Sequence, residues 1–548
     1  MRFRNQFIAD FKKNDVYGCI AICYKELKYY LPKAGKGFVA QEIDKLKRSA
    51  ELTELAGRFE NLRYDFLKIV QSFEENLEEN FDTLKYKIVN RFQEFQYSKE
   101  VDRKKTIAIC LFYIIEALDT YVNNYVNYIQ EYGEWLQNGC GPLNKGNSGK
   151  TYMVYLKPRQ SFLDNAYLQE KVIRFRKRLM PMNLGDVFPS IQIIGKDQLI
   201  KHAGIPQIIH VPLNEQCKRM INEKKMFRIS AIPYIGFDTF RFHEVDRKDP
   251  CLPKESPVGS FYIDYIHEYE NDNMKLVISL LDTAIQSRAN FIVFPEFIMS
   301  NKMLESISKH LKELEPYRRE QLCLVFAGTT YEKNQEKGDN VLHILNAMGT
   351  EIASYYKYSP FQTEEARGAS ENISDKCNTP VIFQNMELLS NRGKKCNLLD
   401  VEIIGRILPG ICRDIVDGEY TSELVKLFAP TLLFVPAWST SVASFDTFFT
   451  HYADTVHTTS LLCNCCNAVG YFNEKEKNET SKETIIGKFC MPEKVGTIMK
   501  SSPKGLIRSG ICYKNCTELQ GCIINIDIDF SKGIPETQIC KNIHPNLE

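Results

Sequence analysis

Two hydrophobic periods divide this chain. From Leu52 to Phe95 apolar residues fall at 52, 55, 59, 62, 66, 69, 73, 77, 81, 84, 88, 92 and 95, so every step is three or four. That spacing puts them on one face of a helix, nearly at heptad period, and charges fill the other face. It predicts one long helix or a helical hairpin. Asp102–Gln137, rich in Tyr and Ile, is a further helical run. Residues 1–137 therefore read as an α-helical domain without obvious chemistry, suited to packing, to a coiled coil or to oligomerisation. Asn138–Ser148 is Gly/Asn/Pro turn chemistry and reads as a linker. The segment up to 226 is mixed, with strand-like Tyr152–Leu156, Ile191–Ile194 and Ile208–Val211 and a basic helix at Lys171–Met180. From Phe227 the period changes. Short strand-like runs at Phe227–Ile232, Phe291–Phe294, Leu322–Ala327, Ile403–Ile411, Thr431–Val435, Asn467–Phe472 and Gly521–Phe530 alternate with helical segments such as Met274–Arg288. Such alternation predicts an α/β domain over 227–535, followed by a tail at 536–548.

Composition narrows the class. At 548 residues there is room for two to four domains. With 44% apolar residues, 25% charged residues and a net charge of +1, no global field draws the protein to nucleic acid or an anionic membrane. The start, Met1-Arg2-Phe3-Arg4, leads into no apolar signal core. The most apolar stretch, Thr106–Ala117, is shorter than the roughly 20 residues that span a bilayer. A cytoplasmic protein without membrane contact is expected. The 18 cysteines are scattered, many in apolar runs, and read as reduced core residues. The run Arg174, Arg176, Lys177, Arg178 could touch phosphates, but a solvated helix face is the commoner explanation, and nucleic acid is not an expected partner.

Two motifs fail on context. Gly149-Lys150-Thr151 ends like a phosphate-cradling loop, but the position that needs the first glycine is Asn144, and the flanking elements are in the wrong order. Cys463-Asn464-Cys465-Cys466 and Cys512…Cys516 lack the paired spacing of a zinc site. No metal or cofactor is implied.

Three other segments share one chemistry. Phe291-Ile-Val-Phe-Pro295-Glu296 sets a carboxylate at a strand end, where Pro295 stops the ladder. Lys357 sits in the aromatic stretch Tyr355–Phe361. Pro409-Gly-Ile-Cys412-Arg413-Asp414 places a thiol where a strand meets a turn. A thiol attacks as thiolate, and a carboxylate can take its proton and pass it to a leaving amine. An ammonium and a backbone N–H stabilise the oxyanion. A Cys–Glu–Lys set is thus a complete acyl-transfer kit.

With these flanks in this order, residues 227–530 resemble the nitrilase, or carbon–nitrogen hydrolase, superfamily. Ile292–Glu296, Lys357 ahead of Pro360-Phe361, and Ile411-Cys412-Arg413-Asp414 carry the likeness. Leu432–Trp438, Ala468–Asn473 and Gly521–Asp529 resemble later strands of that family. The resemblance implies a four-layer α-β-β-α sandwich and commonly a homo-oligomer joined through helices. It implies Glu296 as general base and acid, Lys357 as oxyanion stabiliser and Cys412 as nucleophile. Glu364 is the implied second glutamate, and Arg413 and Trp438 are candidates for shaping the oxyanion and substrate site. The implied substrate is a small amide or, less often, a nitrile. The stretch Ala366–Lys395 and the segment Arg241–Pro257 read as insertions. Two alternatives stand beside this: a regulatory or defence-type protein in which the domain is a sensor or effector, and a Cys–His hydrolase using His451 or His457.

Overall fold

In a computed structural model the described residues are 2–30, 53–74, 81–94, 103–131, 152–156, 188, 190–195, 206–233, 240–244, 258–334, 337–363, 384–387, 389, 396–417, 419–439, 443–465, 485–495, 498–508, 523–530 and 536–539. They fall into two compact units, divided in sequence between Val211 and Pro212.

The first unit holds helices α1 (Arg2–Lys13), α2 (Val16–Tyr30), α3 (Thr53–Glu74), α4 (Phe81–Glu94) and α5 (Arg103–Glu131). It also holds strands β1 (Tyr152–Leu156) and β2 (Ile191–Gly195), paired antiparallel, and β3 (Gln207–Val211). The helical stripe of the sequence is two helices, α3 and α4, joined by an Arg91–Asp65 ion pair. Its apolar residues Phe59, Leu62, Phe66, Leu84, Ile88 and Phe92 are buried in one core with α1, α2 and α5. The stripe is therefore the inner face of a bundle. Lys85 donates to the carbonyls of Lys12 and Asn14 at 2.9 Å, satisfying the C-terminal end of α1. The window Thr106–Asn123 of α5, longer than the apolar stretch marked in the sequence, could cross a membrane by length and composition, yet 72% of it is buried in this protein.

The second unit begins with α6 (Glu215–Lys224), β4 (Met226–Ala231), β5 (Phe240–Glu244) and β6 (Val258–Tyr265). It continues through α7 (Glu270–Gln286), β7 (Phe291–Val293), α8 (Asn301–Glu313), β8 (Leu324–Asn334), β9 (Lys337–Asn346) and β10 (Glu351–Tyr356). Next come β11 (Gln362–Thr363), β12 (Gln384–Glu387), β13 (Asn397–Val401), β14 (Gly405–Pro409), α9 (Arg413–Val416) and α10 (Glu419–Phe428). The last described elements are β15 (Leu432–Ala437), α11 (Ala443–Val456), β16 (Thr459–Asn464), β17 (Ile485–Val495), β18 (Ile498–Arg508), β19 (Ile524–Asp529) and β20 (Glu536–Ile539).

One sheet runs β10-β9-β8-β7-β4-β19-β20, and a second runs β18-β17-β16-β15-β14-β13. Each has a parallel centre, β4–β7–β8 in the first and β14–β15–β16 in the second. Parallel neighbours need crossovers, supplied among others by α8 between β7 and β8, α10 between β14 and β15, and α11 between β15 and β16. The sheets meet through Phe434, whose ring lies 4.9 Å from Phe326 and 5.7 Å from Phe291. A smaller sheet, β11-β12-β6-β5, lies in the same unit. The strand expected at Asn467–Phe472 lies outside the described residues; the strand beside β15 is β16, at Thr459–Asn464.

Candidate active site

The parallel strands deliver the site. Glu296 follows β7 after Pro295, Cys412 follows β14 after Gly410, and Trp438 follows β15 directly. All three leave C-terminal strand ends, where α/β folds collect functional groups. Lys357 follows β10 and is held there by its own N–H bonding the Asn340 carbonyl on β9 at 3.0 Å.

The backbone is strained at two of these points. Cys412 has φ +42° and ψ −105°, which sets its thiol on a sharp elbow opening α9. Phe297, next to Glu296, has φ +64°. Non-glycine residues in such conformations persist when surrounding contacts over-determine them, as at many active sites. Here Cys412 N–H bonds the Pro436 carbonyl at 3.0 Å, and Phe297 N–H bonds Thr329 Oγ1 at 2.9 Å. Gly328, at φ +75° on a bulge of β8, is required for another reason: a β-carbon there would lie 2.5 Å from the Pro295 carbonyl oxygen.

The side chains form a closed polar cluster. Lys357 Nζ donates to Glu296 Oε1 at 2.7 Å and to Glu387 Oε2 at 2.6 Å. Asn340 Nδ2 bridges the same two carboxylates, at 2.8 Å to Glu296 and 2.9 Å to Glu387. The second oxygen of Glu296 accepts the Trp438 N–H at 2.9 Å. Cys412 Sγ lies 3.8 Å from the Trp438 carbonyl oxygen. Each of Glu296, Lys357, Glu387 and Cys412 is at most 4% exposed. Aromatic rings wall the cluster: Lys357 Nζ stands 5.4 Å from the Phe297 ring centre, and Trp438 packs against Phe240 and Phe361.

Burial sets the electrostatics. It pushes the Cys412 thiol well above its usual range, and the neighbouring Glu296 charge pushes the same way. It raises Glu296 too, against the pull of Lys357. Lys357 is the reverse case. Burial opposes its charge, but Glu296 and Glu387 outweigh burial and hold it above the ordinary ammonium range. Burial and the Glu296 charge thus disfavour the Cys412 thiolate, while the two carboxylates favour the Lys357 ammonium.

A third carboxylate braces the nucleophile. Asp414 Oδ1 accepts the N–H groups of Tyr358 and Ser359 at 3.0 and 2.6 Å, and Oδ2 accepts Ile411 N–H at 3.3 Å. It therefore ties the segment after Lys357 to the residue before Cys412. Burial raises it to about 7 although these N–H donors favour its charge.

Of the residues singled out in the sequence, Glu296, Lys357, Cys412 and Trp438 come together, Trp438 through its backbone as well as its ring. Arg413 is placed differently: its guanidinium pairs with Asp417 one turn on, at 2.8 Å and half-exposed. Glu364 lies outside the described residues, as do Arg174, Arg176, Lys177 and Arg178. The glutamate found beside Lys357 is Glu387, the last residue of β12, inside the stretch read as an insertion. Its N–H bonds the Phe361 carbonyl and its carboxylate accepts Phe361 N–H, both at 2.8 Å, so the two segments are latched. Asn464, the last residue of β16, accepts Ser439 N–H at 2.9 Å and donates to the Ser439 carbonyl at 2.8 Å. The groups that shift the Cys412 thiol are Glu296, Lys357 and the Trp438 backbone, and neither His451 nor His457 is among them. No metal-binding cluster occurs among the described residues.

No protein-family model matches the sequence, and no curated protein matches it. Solved structures do. A branch 10 member of the nitrilase superfamily from Saccharomyces cerevisiae is 14% identical, with 56% of this chain and 90% of that chain covered and a TM-score of 0.30. A carbon–nitrogen hydrolase from Helicobacter pylori is 10% identical, with 57% and 91% covered and a TM-score of 0.31. A nitrilase-superfamily amidase from Nesterenkonia is 12% identical, with 44% and 77% covered and a TM-score of 0.28. Likeness at this level carries no argument about chemistry, which rests on the geometry above.

Proposed function

We propose that residues 212–548 form a hydrolase of non-peptide C–N bonds, an amidase rather than a nitrilase, working through a thioester on Cys412. The observation that carries this reading is one buried ammonium, Lys357, bridging two carboxylates beside a buried thiol on a strained elbow. A buried ion cluster of this kind is a poor source of stability, and strongly shifted groups of this kind are candidates for chemistry.

Glu296 takes the Sγ proton as sulfur attacks the carbonyl carbon. The oxyanion forms against Lys357 and the N–H of Arg413; the ammonium has three protons, and the two carboxylates take two. Glu296 returns its proton to the leaving amine, which departs and leaves the thioester. Glu296 then takes a proton from water, whose oxygen attacks the thioester carbon. Collapse frees the carboxylic acid and restores the thiol with that proton. Glu387 and Asn340 aim Lys357 and Glu296. The paired sheets with crossover helices support reading this unit as the α-β-β-α sandwich of the nitrilase superfamily.

The test is intact-mass spectrometry of the full chain incubated with a library of small amides and nitriles. The expected result is an acyl adduct mapped to Cys412, absent in Cys412→Ala, with released ammonia or amine. An adduct on another cysteine, or turnover retained in Cys412→Ala, overturns the proposal.

A further inference from the structure

A pair of sulfur atoms stands apart from this site. Cys217 lies in the first turn of α6, and Cys323 lies one residue ahead of β8. Their Sγ atoms are 3.3 Å apart, and both side chains are buried. A disulfide needs about 2.05 Å, so closure takes roughly 1.2 Å of approach. The Gln321 carbonyl oxygen faces both sulfurs, at 3.4 Å from Cys217 Sγ and 3.8 Å from Cys323 Sγ; the helix terminus distinguishes them. Asn290 Nδ2 donates to Cys217 Sγ at 3.7 Å, and the same amide is anchored to the Gln321 carbonyl at 2.8 Å. Asn214 caps α6 by accepting the Cys217 N–H at 2.7 Å, which fixes this thiol in the positive first turn. The hydrogen bond with Cys323 draws the Cys217 thiol below its usual range while burial acts against it, and burial drives Cys323 well up. The first turn of α6 thus favours Cys217 as the attacking sulfur, with Cys323 as the resolving thiol. The neighbours Asn214, Glu215 and Gln216 are exposed, so opening the first turn of α6 admits a small oxidant.

We propose that Cys217 and Cys323 are a site of reversible oxidative modification, a dithiol that a peroxide-class oxidant converts to a disulfide clamping α6 to the start of β8. The Cys217 thiolate attacks one peroxide oxygen; the O–O bond breaks, a sulfenic acid forms, and the departing hydroxide takes up the proton that the Cys217 thiol released and leaves as water. Cys323 sulfur then attacks the Cys217 sulfur, the S–O bond breaks, and a second water leaves with the Cys323 proton. The two thiols lose two electrons, and hydrogen peroxide gains them. A thiol reductant reverses the bond by exchange. The inference is independent of the hydrolase reading.

The full chain is titrated with hydrogen peroxide, quenched with N-ethylmaleimide and digested with trypsin without reduction. A linked species of His202–Lys218 with Glu320–Lys333 is expected at the lowest peroxide level that joins any pair of thiols, two hydrogens lighter than the separate peptides. Dithiothreitol should return both peptides to the maleimide-labelled form. Cys217→Ser should remove the link and leave Cys323 labelled, whereas Cys323→Ser should remove the link and leave Cys217 unlabelled as the sulfenic acid, one oxygen heavier. Circular dichroism matching the native chain keeps that result interpretable. The proposal is overturned if both thiols remain labelled when other cysteines are oxidised, or if Cys217 goes to sulfinic acid with no link.

Discussion

Replacing Glu387 by Gln tests whether the second carboxylate is part of the site. The substitution keeps shape and removes one charge from a cluster with two carboxylates and one ammonium. Glu387 Oε2 accepts from Lys357 and Phe361, and Oε1 accepts from Asn340, so all three contacts need acceptors. An amide has one oxygen. If it serves Lys357 and Phe361, its NH2 meets the Asn340 NH2; turning Asn340 to present its oxygen breaks the 2.8 Å bond to Glu296. One charge-assisted hydrogen bond is lost in either arrangement, worth about 1.5–3 kcal/mol. Breaking a buried pair on one side costs about 3–5 kcal/mol, which bounds the total from above. If Lys357 shifts off the oxyanion, turnover should fall roughly 100- to 1000-fold, the usual effect of losing one such donor. Urea denaturation measures the first effect, and turnover of any amide that acylates Cys412 measures the second. An unchanged denaturation midpoint with unchanged turnover in Glu387→Gln would refute this account of the cluster.

Further outcomes follow from the same geometry. Glu296→Gln and Lys357→Met should each lower turnover by roughly 100-fold or more, and the double variant should be little worse than the poorer single; near-native rates in Glu296→Gln, with loss in His451→Ala or His457→Ala, would favour a Cys–His mechanism. Asp414, raised by burial to about 7, holds more protons in the folded chain than in the unfolded chain between about pH 4 and 7. Its contribution is present below pH 4 and lost as pH rises through 7, a fall bounded at about 4 kcal/mol by linkage. Asp414→Asn should flatten that part of the stability–pH curve, and a curve of unchanged slope would count against it. Gly328→Ala forces a side chain into φ +75° and within 2.5 Å of the Pro295 carbonyl oxygen. It should destabilise by at least about 1 kcal/mol and slow iodoacetamide labelling of Cys412 by disturbing Glu296, both read directly in denaturation and labelling rates.

What the sequence carried by itself was local. The strand-then-Pro-Glu run, the Lys ahead of Pro-Phe and the Ile-Cys-x-Asp turn each set a reactive group beside a conformational signal. Glu296, Lys357 and Cys412 could therefore be picked out without knowing what lay near them in space. The three/four stripe was local in the same sense. It specified helix, while its use as the inner face of a bundle depended on α1, α2 and α5 covering it. Glu387 was decided only by tertiary structure. Its strand, β12, has no alternating apolar signature and pairs in parallel with β6, more than a hundred residues earlier. Nothing in Gln384–Glu387 distinguishes it from a polar loop until β6 and the Phe361 latch are in place. The anchoring role of Asp414 and the pairing of Cys217 with Cys323 belong to the same class. A motif fixes which group a turn presents, because φ/ψ preference and side-chain chemistry act over a few residues. Which groups meet across a hundred residues is set by burial and strand register, and those act only once the sheets have closed.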